Sequence, residues 1–465
     1  MPVERAESAQ LLLTPNADGP RIWVELDDVI RYFDTTSTPT GIARVQLEIL
    51  PRLLAMYPDR IGICRIGSHA NDVRVIPPEA LAWLLDSATA GGCRGSFMAG
   101  RMQAIARYGR RKLRNFADEW LASPAAVRAF SRHVREGDVL LALGASWTHA
   151  HFGRSVRTLK ARHGLKFALL VHDILPVTHP DLVSPGHAPN FRRWLDDMMT
   201  TWDFVLTPSK SSAAALQTHL AALGRPIPPI WPVPFGFGFG NPVIAAEPVE
   251  REPYVLFVST VEIRKNHLLL YYVWQRLIDK HGAANVPRLL FVGKLGWKIE
   301  KLRRLLAASN FLDGRIRQVG ELTDSEMARA YADCRFTVFP SRCEGWGLPV
   351  SESLYYGRLC VASNATSIPE VGGPAVDYFD PDNEDEAFAL IERALFESGY
   401  VERREAWIRA NFRLPSWEGT ARFIFETLVG APTAVRVSAA LPAMSETPGS
   451  GRGCEPPGAP LALNA

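Results

Sequence analysis

The sequence predicts an α/β protein built from two doubly wound domains in tandem. Three observations carry that expectation. Short apolar runs alternate with longer helical stretches from residue 21 onward, the apolar runs are continuous, and the alternation stops in the proline-rich stretch 226–253 and then restarts. A strand buried on both faces reads as a continuous apolar run, and strand–helix alternation is the pattern of a parallel sheet wrapped by helices.

Taken in order, the first strands fall at 21–26 (RIWVEL), 61–66 (IGICRI), 138–143 (DVLLAL), 166–171 (KFALLV), 203–207 (DFVLT) and 229–234. Helical stretches lie between them at 41–56, 117–134, 151–163, 186–201 and 209–223. After the prolines, strands return at 254–259 (YVLFVS), 288–293 (RLLFVG), 315–319, 335–339 (RFTVF), 359–362 and 376–379. Their helices are 265–281, 297–309, 323–333, 349–357 and 382–397. Two last helices, 400–412 and 415–429, carry Trp407, Phe412, Trp417, Phe423 and Phe425 and are expected to pack back on the body. The division is a tail at 1–20, a first domain at 21–235, a linker at 236–253, a second domain at 254–399, returning helices at 400–430 and a tail at 431–465. The last tail is rich in Ala, Pro, Gly and Ser and reads as disordered.

A chain of 465 residues suits two domains, and 47% hydrophobic with 22% charged residues is a soluble globular composition. A net charge of +3 implies no general affinity for nucleic acid. The six cysteines are scattered, with no C-x-x-C pair and no zinc-ligand spacing, which fits a reducing cytoplasm. Residues 1–20 lack the signal-peptide pattern, and no apolar run approaches the roughly 20 residues of a membrane span. Membrane contact would therefore be peripheral. The candidate is 94–114, where Arg94, Arg101, Arg107, Arg110, Arg111, Lys112 and Arg114 mix with Met98, Met102 and Ile105 at helical spacing. That segment reads as a face for anionic headgroups, or equally as a solvated basic helix or loop.

In open α/β sheets, ligands bind outside the carboxyl ends of the strands, so the strand-end loops are where chemistry is expected. Four carry it. In TVFPSRCEGWGLPVSESLYYG (337–357), a buried strand runs into a loop with Gly345 and Gly347, and Pro349 sits where a helix begins. Loop amides and a helix N-terminus suit a diphosphate. Glu344 and Glu352, eight positions apart, can flank one ligand and accept hydrogen bonds from vicinal hydroxyls. In FVSTVEIRKNH (257–267), a strand end delivers Arg264 and Lys265 into a turn, where they can neutralise a leaving diphosphate. In LLVHDILPVTHPD (169–181), His172 and Asp173 come straight off a buried strand and face the cleft; a satisfied strand-end histidine reads as well. In DTTSTPTGIARV (34–45), Thr40 is a candidate N-cap and Gly41 permits close backbone approach. No G-x-G-x-x-G follows a strand, which argues against a dinucleotide-binding dehydrogenase.

With those residues in view, the chain resembles the family-4 retaining glycosyltransferases of the GT-B fold. The likeness is most specific over 254–395, in STVEIRKN, VGKLGW (292–297), VGELTDSEM (319–327), FPSRCEGWGLPVSES and SNATSIPEVGG (363–373). It implies two Rossmann-like domains facing each other across a cleft. It also implies Glu352 on the nucleotide ribose, Glu344 by the donor-sugar hydroxyls, and the amides of Gly345, Trp346 and Gly347 on sugar and phosphate. Lys265, with Arg264, would meet the diphosphate, His172 the donor sugar, and Gly41 the diphosphate again. Where many members carry an arginine just after the strand, this chain has Ser259-Thr260, so Arg264 has to supply that second positive arm. The resemblance implies a sugar nucleotide as co-substrate, no cofactor and no metal, and a glycan or lipid-linked acceptor in polysaccharide synthesis. The RKN turn favours GDP-mannose or a similar hexose donor. A GT-B epimerase or phosphorylase, or a non-catalytic carbohydrate-binding protein, is the alternative. The setting would be cytoplasmic, with contact at the inner membrane face through 94–114.

Overall fold

The structure is a computed structural model that describes residues 19–35, 41–67, 72–76, 130–238, 247–413 and 415–429. The basic segment 94–114, Thr40 and the tail 431–465 lie outside the described residues.

Among the described residues, thirteen strands form two sheets. The first contains β1 (Ile22–Glu25), β2 (Ile61–Ile66), β3 (Val73–Val75), β4 (Val139–Ala142), β5 (Lys166–Leu170), β6 (Phe204–Thr207) and β7 (Ile230–Pro232). Its order is β3-β2-β1-β4-β5-β6-β7. Every pairing is parallel except β2 with β3, where Cys64 faces Val75. The second contains β8 (Tyr254–Val258), β9 (Arg288–Val292), β10 (Ile316–Val319), β11 (Thr337–Phe339), β12 (Cys360–Ser363) and β13 (Val376–Phe379), all parallel, in the order β10-β9-β8-β11-β12-β13. The direction of strand order therefore reverses between β1 and β4 and between β8 and β11. These are the topological switch points, where the splayed loops leave room for a ligand.

The continuous apolar runs have a direct cause. Ile22 and Val24 enter one core cluster while Trp23 enters another on the opposite face. In the second sheet Val255 and Phe257 take one face, and Tyr254 and Leu256 the other. Successive side chains point to opposite faces, so a sheet covered on both sides requires apolar residues at every position.

Around the first sheet lie α1 (Asp27–Thr35), α2 (Gly41–Met56), α3 (Phe152–His163), α4 (His187–Met198) and α5 (Lys210–Ala222). Around the second lie α6 (His267–His281), α7 (Glu300–Ala308), α8 (Asp324–Asp333), α9 (Leu348–Tyr355) and α10 (Glu384–Phe396), followed by α11 (Tyr400–Asn411) and α12 (Trp417–Val429). The N-terminus of α8 carries a capping box between Thr323 and Glu326. The last helix returns to the first sheet: Trp417, Ala421, Ile424 and Leu428 share a core with Ile22 and Val24, and Phe425 stacks on Tyr57 at 3.6 Å.

Two elements differ from the expectation. A helix, α1, stands between β1 and Gly41, so the glycine does not follow directly on the strand. An antiparallel edge strand, β3, was not expected at all. Of the helix expected over 117–134, only 130–134 is among the described residues, and 130–133 is helical.

Candidate active site

The site gathers at the second switch point. After β8 the chain turns through a short 3-10 segment, Ile263–Lys265, and Asn266 adopts φ +60 to start α6. That turn places Arg264 and Lys265 side by side. After β11 the loop 340–347 runs opposite them, and Gly347, at φ +114, caps α9 with Leu348 and Pro349 in its first turn. A φ of that value is open to glycine and strained for other residues.

Glu344 joins the two loops. Its Oε1 lies 2.5 Å from Lys265 Nζ, and its Oε2 lies 2.7 Å from an Arg264 terminal nitrogen. All three side chains are largely buried, with exposures of 9% for Glu344, 11% for Lys265 and 17% for Arg264. Burial would raise the Glu344 carboxyl, but Arg264 and Lys265 outweigh it and hold the group down at about 2. Burial pushes the Lys265 ammonium down, with Glu344 pulling the other way, while the two neighbouring carboxylates keep Arg264 charged. Arg264 is fixed further by Glu262, 2.8 Å away, and donates to the Cys343 carbonyl at 2.8 Å. The Glu344 backbone is pinned by Thr366, whose Oγ1 accepts from its amide at 2.8 Å and donates to its carbonyl at 2.9 Å.

Beyond Glu344, the amides of Gly345, Trp346 and Gly347 donate no hydrogen bond among the described residues. Buried amides are almost always paired. Three consecutive unpaired ones, at the N-terminus of α9 and beside two cations, form a cradle for an anion. Glu352, one turn into α9, accepts from the Tyr331 hydroxyl, and burial raises its carboxyl.

The first domain closes over this loop. Ser209 Oγ donates to the Gly345 carbonyl at 2.8 Å, and a Cβ on Gly345 would stand 2.2 Å from the His172 carbonyl oxygen. Only glycine allows that approach. His172 Nε2 is 2.8 Å from the Leu143 carbonyl, so Nε2 carries the hydrogen and Nδ1 the lone pair. Burial pushes this imidazole down to about 4, leaving it neutral at pH 7. Glu370 accepts from the amides of Lys210 and Ser211 at 2.7 Å each, tying the second domain to the start of α5.

The structure thus brings Arg264, Lys265 and Glu344 into direct contact and sets Gly345 against His172. Trp346 packs between the domains, 5.6 Å from Phe235, and its buried indole N–H has no partner among the described residues. Gly41, exposed and at φ +53 at the start of α2, is not among the residues brought together. Three further residues belong here that the sequence reading did not single out. Glu262 sits within the basic turn, Tyr331 bonds Glu352, and Arg44 on α2 forms a two-bond pair with Asp324 at the start of α8. Arg44 also bears electrostatically on Glu352. An acid two residues before Arg264, and a basic residue one turn past Gly41, were the available signals. No group of three or more His, Cys, Asp or Glu placed to hold a metal ion occurs among the described residues.

Two facing sheets of this strand order, with a basic turn and an anion cradle at the second switch point, define the GT-B class of fold. Residues 244–413 match the family described as Glycosyl transferases group 1, and the second domain belongs to it. Over 177 residues the chain is 33% identical to O-antigen chain mannosyltransferase B of Escherichia coli, a match covering 38% of this chain and 46% of that protein. It is 28% identical over 175 residues to the serotype-specific mannosyltransferase WbdA of Escherichia coli, covering 38% of this chain and 21% of that one. The matched region is thus less than half the length of these curated relatives. Among solved structures, sucrose-phosphate synthase from Thermosynechococcus elongatus superposes with a TM-score of 0.55 at 17% identity, over 88% of this chain and 98% of that one. Anabaena Alr3699/HepE in complex with UDP and glucose also gives 0.55, at 15% identity over 88% and 99%. At these identities the structures speak for the fold alone.

Proposed function

We propose that the protein is a retaining, metal-independent glycosyltransferase of the family-4 type, moving a hexose from a nucleoside-diphosphate sugar to a glycan or lipid-linked acceptor in polysaccharide synthesis. The observation that carries this is the cradle of three unpaired amides facing Arg264 and Lys265. A diphosphate is the common anion that needs both. The mannosyltransferase names of the curated relatives support mannose, and hence GDP-mannose, as the donor.

In this reading Glu352 binds the ribose hydroxyls and the α9 N-terminus holds the diphosphate. Negative charge grows on that diphosphate as the glycosidic bond breaks, and Lys265 and Arg264 stabilise it. Incoming phosphate oxygens draw Lys265 from Glu344, whose carboxylate then accepts from the donor-sugar hydroxyls. Neutral His172 offers its Nδ1 lone pair to another sugar hydroxyl. The acceptor hydroxyl attacks on the face the leaving group departs from, and the diphosphate takes its proton. The protein positions the partners and stabilises the leaving charge. We place this chemistry in the cytoplasm; no helix among the described residues is long and apolar enough to cross a membrane.

A panel of sugar nucleotides tested by thermal shift, followed by transfer assays on lipid-linked and oligosaccharide acceptors, tests the proposal. Glu352→Ala is expected to weaken nucleoside-diphosphate binding by about 1.5–3 kcal/mol, the cost of losing a charged hydrogen-bond acceptor. Unchanged affinity by calorimetry would remove Glu352 from the site. Donor binding without transfer to any acceptor would favour a non-catalytic carbohydrate-binding protein.

A further inference from the structure

Beside the donor loop, on the first domain, lies a group of residues that the donor chemistry does not use. Trp147 stands on the short 3-10 turn Ser146–Thr148 that follows β4. Its ring is 5.4 Å from Phe191, 5.4 Å from Trp194 and 6.2 Å from His187. Phe191 and Trp194 are buried, and Trp194 Nε1 donates to Ser146 Oγ at 3.1 Å, which fixes the turn. Trp147 and His187 are only half-buried, and the Trp147 indole N–H donates to no described residue. A rigid aromatic wall therefore presents an outer ring and a free donor.

Asp173, just after β5, sits between that wall and the donor loop. Its Oδ1 accepts from the Leu175 amide at 3.0 Å, while the other oxygen bonds no described residue. Its Cβ is 3.1 Å from the position a Gly345 Cβ would take, and its charge is felt by Arg264, Glu344 and His187. The loops after β4 and β5 and the start of α4 all lie at the carboxyl edge of the first sheet, where ligands of such sheets bind.

The chemistry of the group selects its ligand. A pyranose has an apolar C–H face, which packs on the electron-rich face of an indole, and hydroxyls that donate to a carboxylate. An acyl chain would bury the Asp173 carboxylate unpaired, and a phosphate would be repelled by it. We propose that Trp147, His187 and Asp173 form the acceptor-sugar subsite, with a pyranose resting on the Trp147 ring and donating a hydroxyl to the free Asp173 oxygen. Its role as acceptor site rests on the glycosyl-transfer reading; its sugar chemistry does not.

The full chain, saturated with GDP, is titrated with methyl α-mannoside and with a mannose disaccharide, read by saturation-transfer NMR and tryptophan fluorescence. GDP affinity is measured separately by calorimetry. Trp147→Ala and Asp173→Asn are each expected to weaken sugar binding about tenfold, the scale of one lost charged hydrogen bond or aromatic contact, with GDP affinity unchanged in Trp147→Ala and not weakened in Asp173→Asn, whose charge bears on Arg264. Trp147→Phe, which keeps the ring on its packing partners, is expected to retain most of the binding and guards against a folding failure of the alanine variant. Sugar binding that is absent in the wild type, or unaltered in both Trp147→Ala and Asp173→Asn, would overturn the subsite. So would an equal fall in GDP affinity. Sugar binding that depends on these residues in a protein that binds no nucleoside diphosphate would uphold the subsite and sink the transferase reading instead.

Discussion

Glu344 has two employments that cannot be held at once. It neutralises Arg264 and Lys265, the cations a diphosphate would need. Glu344→Gln keeps the shape and removes the competing charge, so a bare nucleoside diphosphate is expected to bind about tenfold tighter, an increment of roughly 1.4 kcal/mol. Calorimetry checks this; weaker binding would mean that the carboxylate recruits the cations for the ligand. The same substitution has a signature in stability. The folded value of about 2 lies below the ordinary 4.5. The ionised cluster therefore contributes about 3 kcal/mol above pH 4.5, lost as the pH falls toward 2. The melting temperature of Glu344→Gln is expected to lie below that of the wild type at pH 6, with the gap narrowing by pH 3.5. A gap that does not change with pH would contradict the ion-pair assignment.

At the scale of elements, the loop between β11 and α9 is held by fit as much as by bonds. Gly345→Ala would drive a methyl into the His172 carbonyl at 2.2 Å, a backbone atom that cannot swing away. The loop has to retreat from the first domain, and turnover is expected to fall about a hundredfold, or 2.7 kcal/mol in the barrier. Activity within twofold of wild type would show that the close approach is not needed for the chemistry. Much of this element was legible in the sequence: the strand, the two glycines, Pro349 and both glutamates stand in one contiguous stretch, as do Arg264 and Lys265 in theirs. The strands were legible because burial on both faces leaves uninterrupted apolar runs. What escaped has physical reasons. The strand β3 is three residues, Val-Arg-Val, on a sheet edge. The helix α1 is nine residues long and starts one residue after β1, so its apolar Val29, Ile30, Tyr32 and Phe33 run on from the strand's apolar stretch with no turn signal to divide them. The Glu352–Tyr331 and Arg44–Asp324 bonds join residues 21 and 280 positions apart, which no local pattern encodes.

At the scale of the whole molecule, the closed arrangement depends on a few contacts between the two sheets' domains. Arg44 grips Asp324, Glu370 grips the start of α5, and Trp297 Nε1 donates to the Leu182 carbonyl at 3.2 Å. The Arg44–Asp324 pair is shielded, with side-chain exposures of 13% and 24%, so breaking it leaves a partly desolvated charge beside Glu352. Arg44→Gln and Asp324→Asn are each expected to enlarge the radius of gyration measured by small-angle scattering, and the double variant to enlarge it no further. Additive changes would mean that the two residues act separately. The central claim, that this closed site stabilises the charge of a departing nucleoside diphosphate, is tested most directly at Lys265. Steady-state turnover and donor affinity, measured side by side for wild type and Lys265→Ala, separate a transition-state role from simple binding. Turnover is expected to fall at least about a hundredfold while donor affinity falls tenfold or less, because the charge Lys265 meets grows as the bond breaks. Wild-type turnover in a folded Lys265→Ala protein would contradict the account.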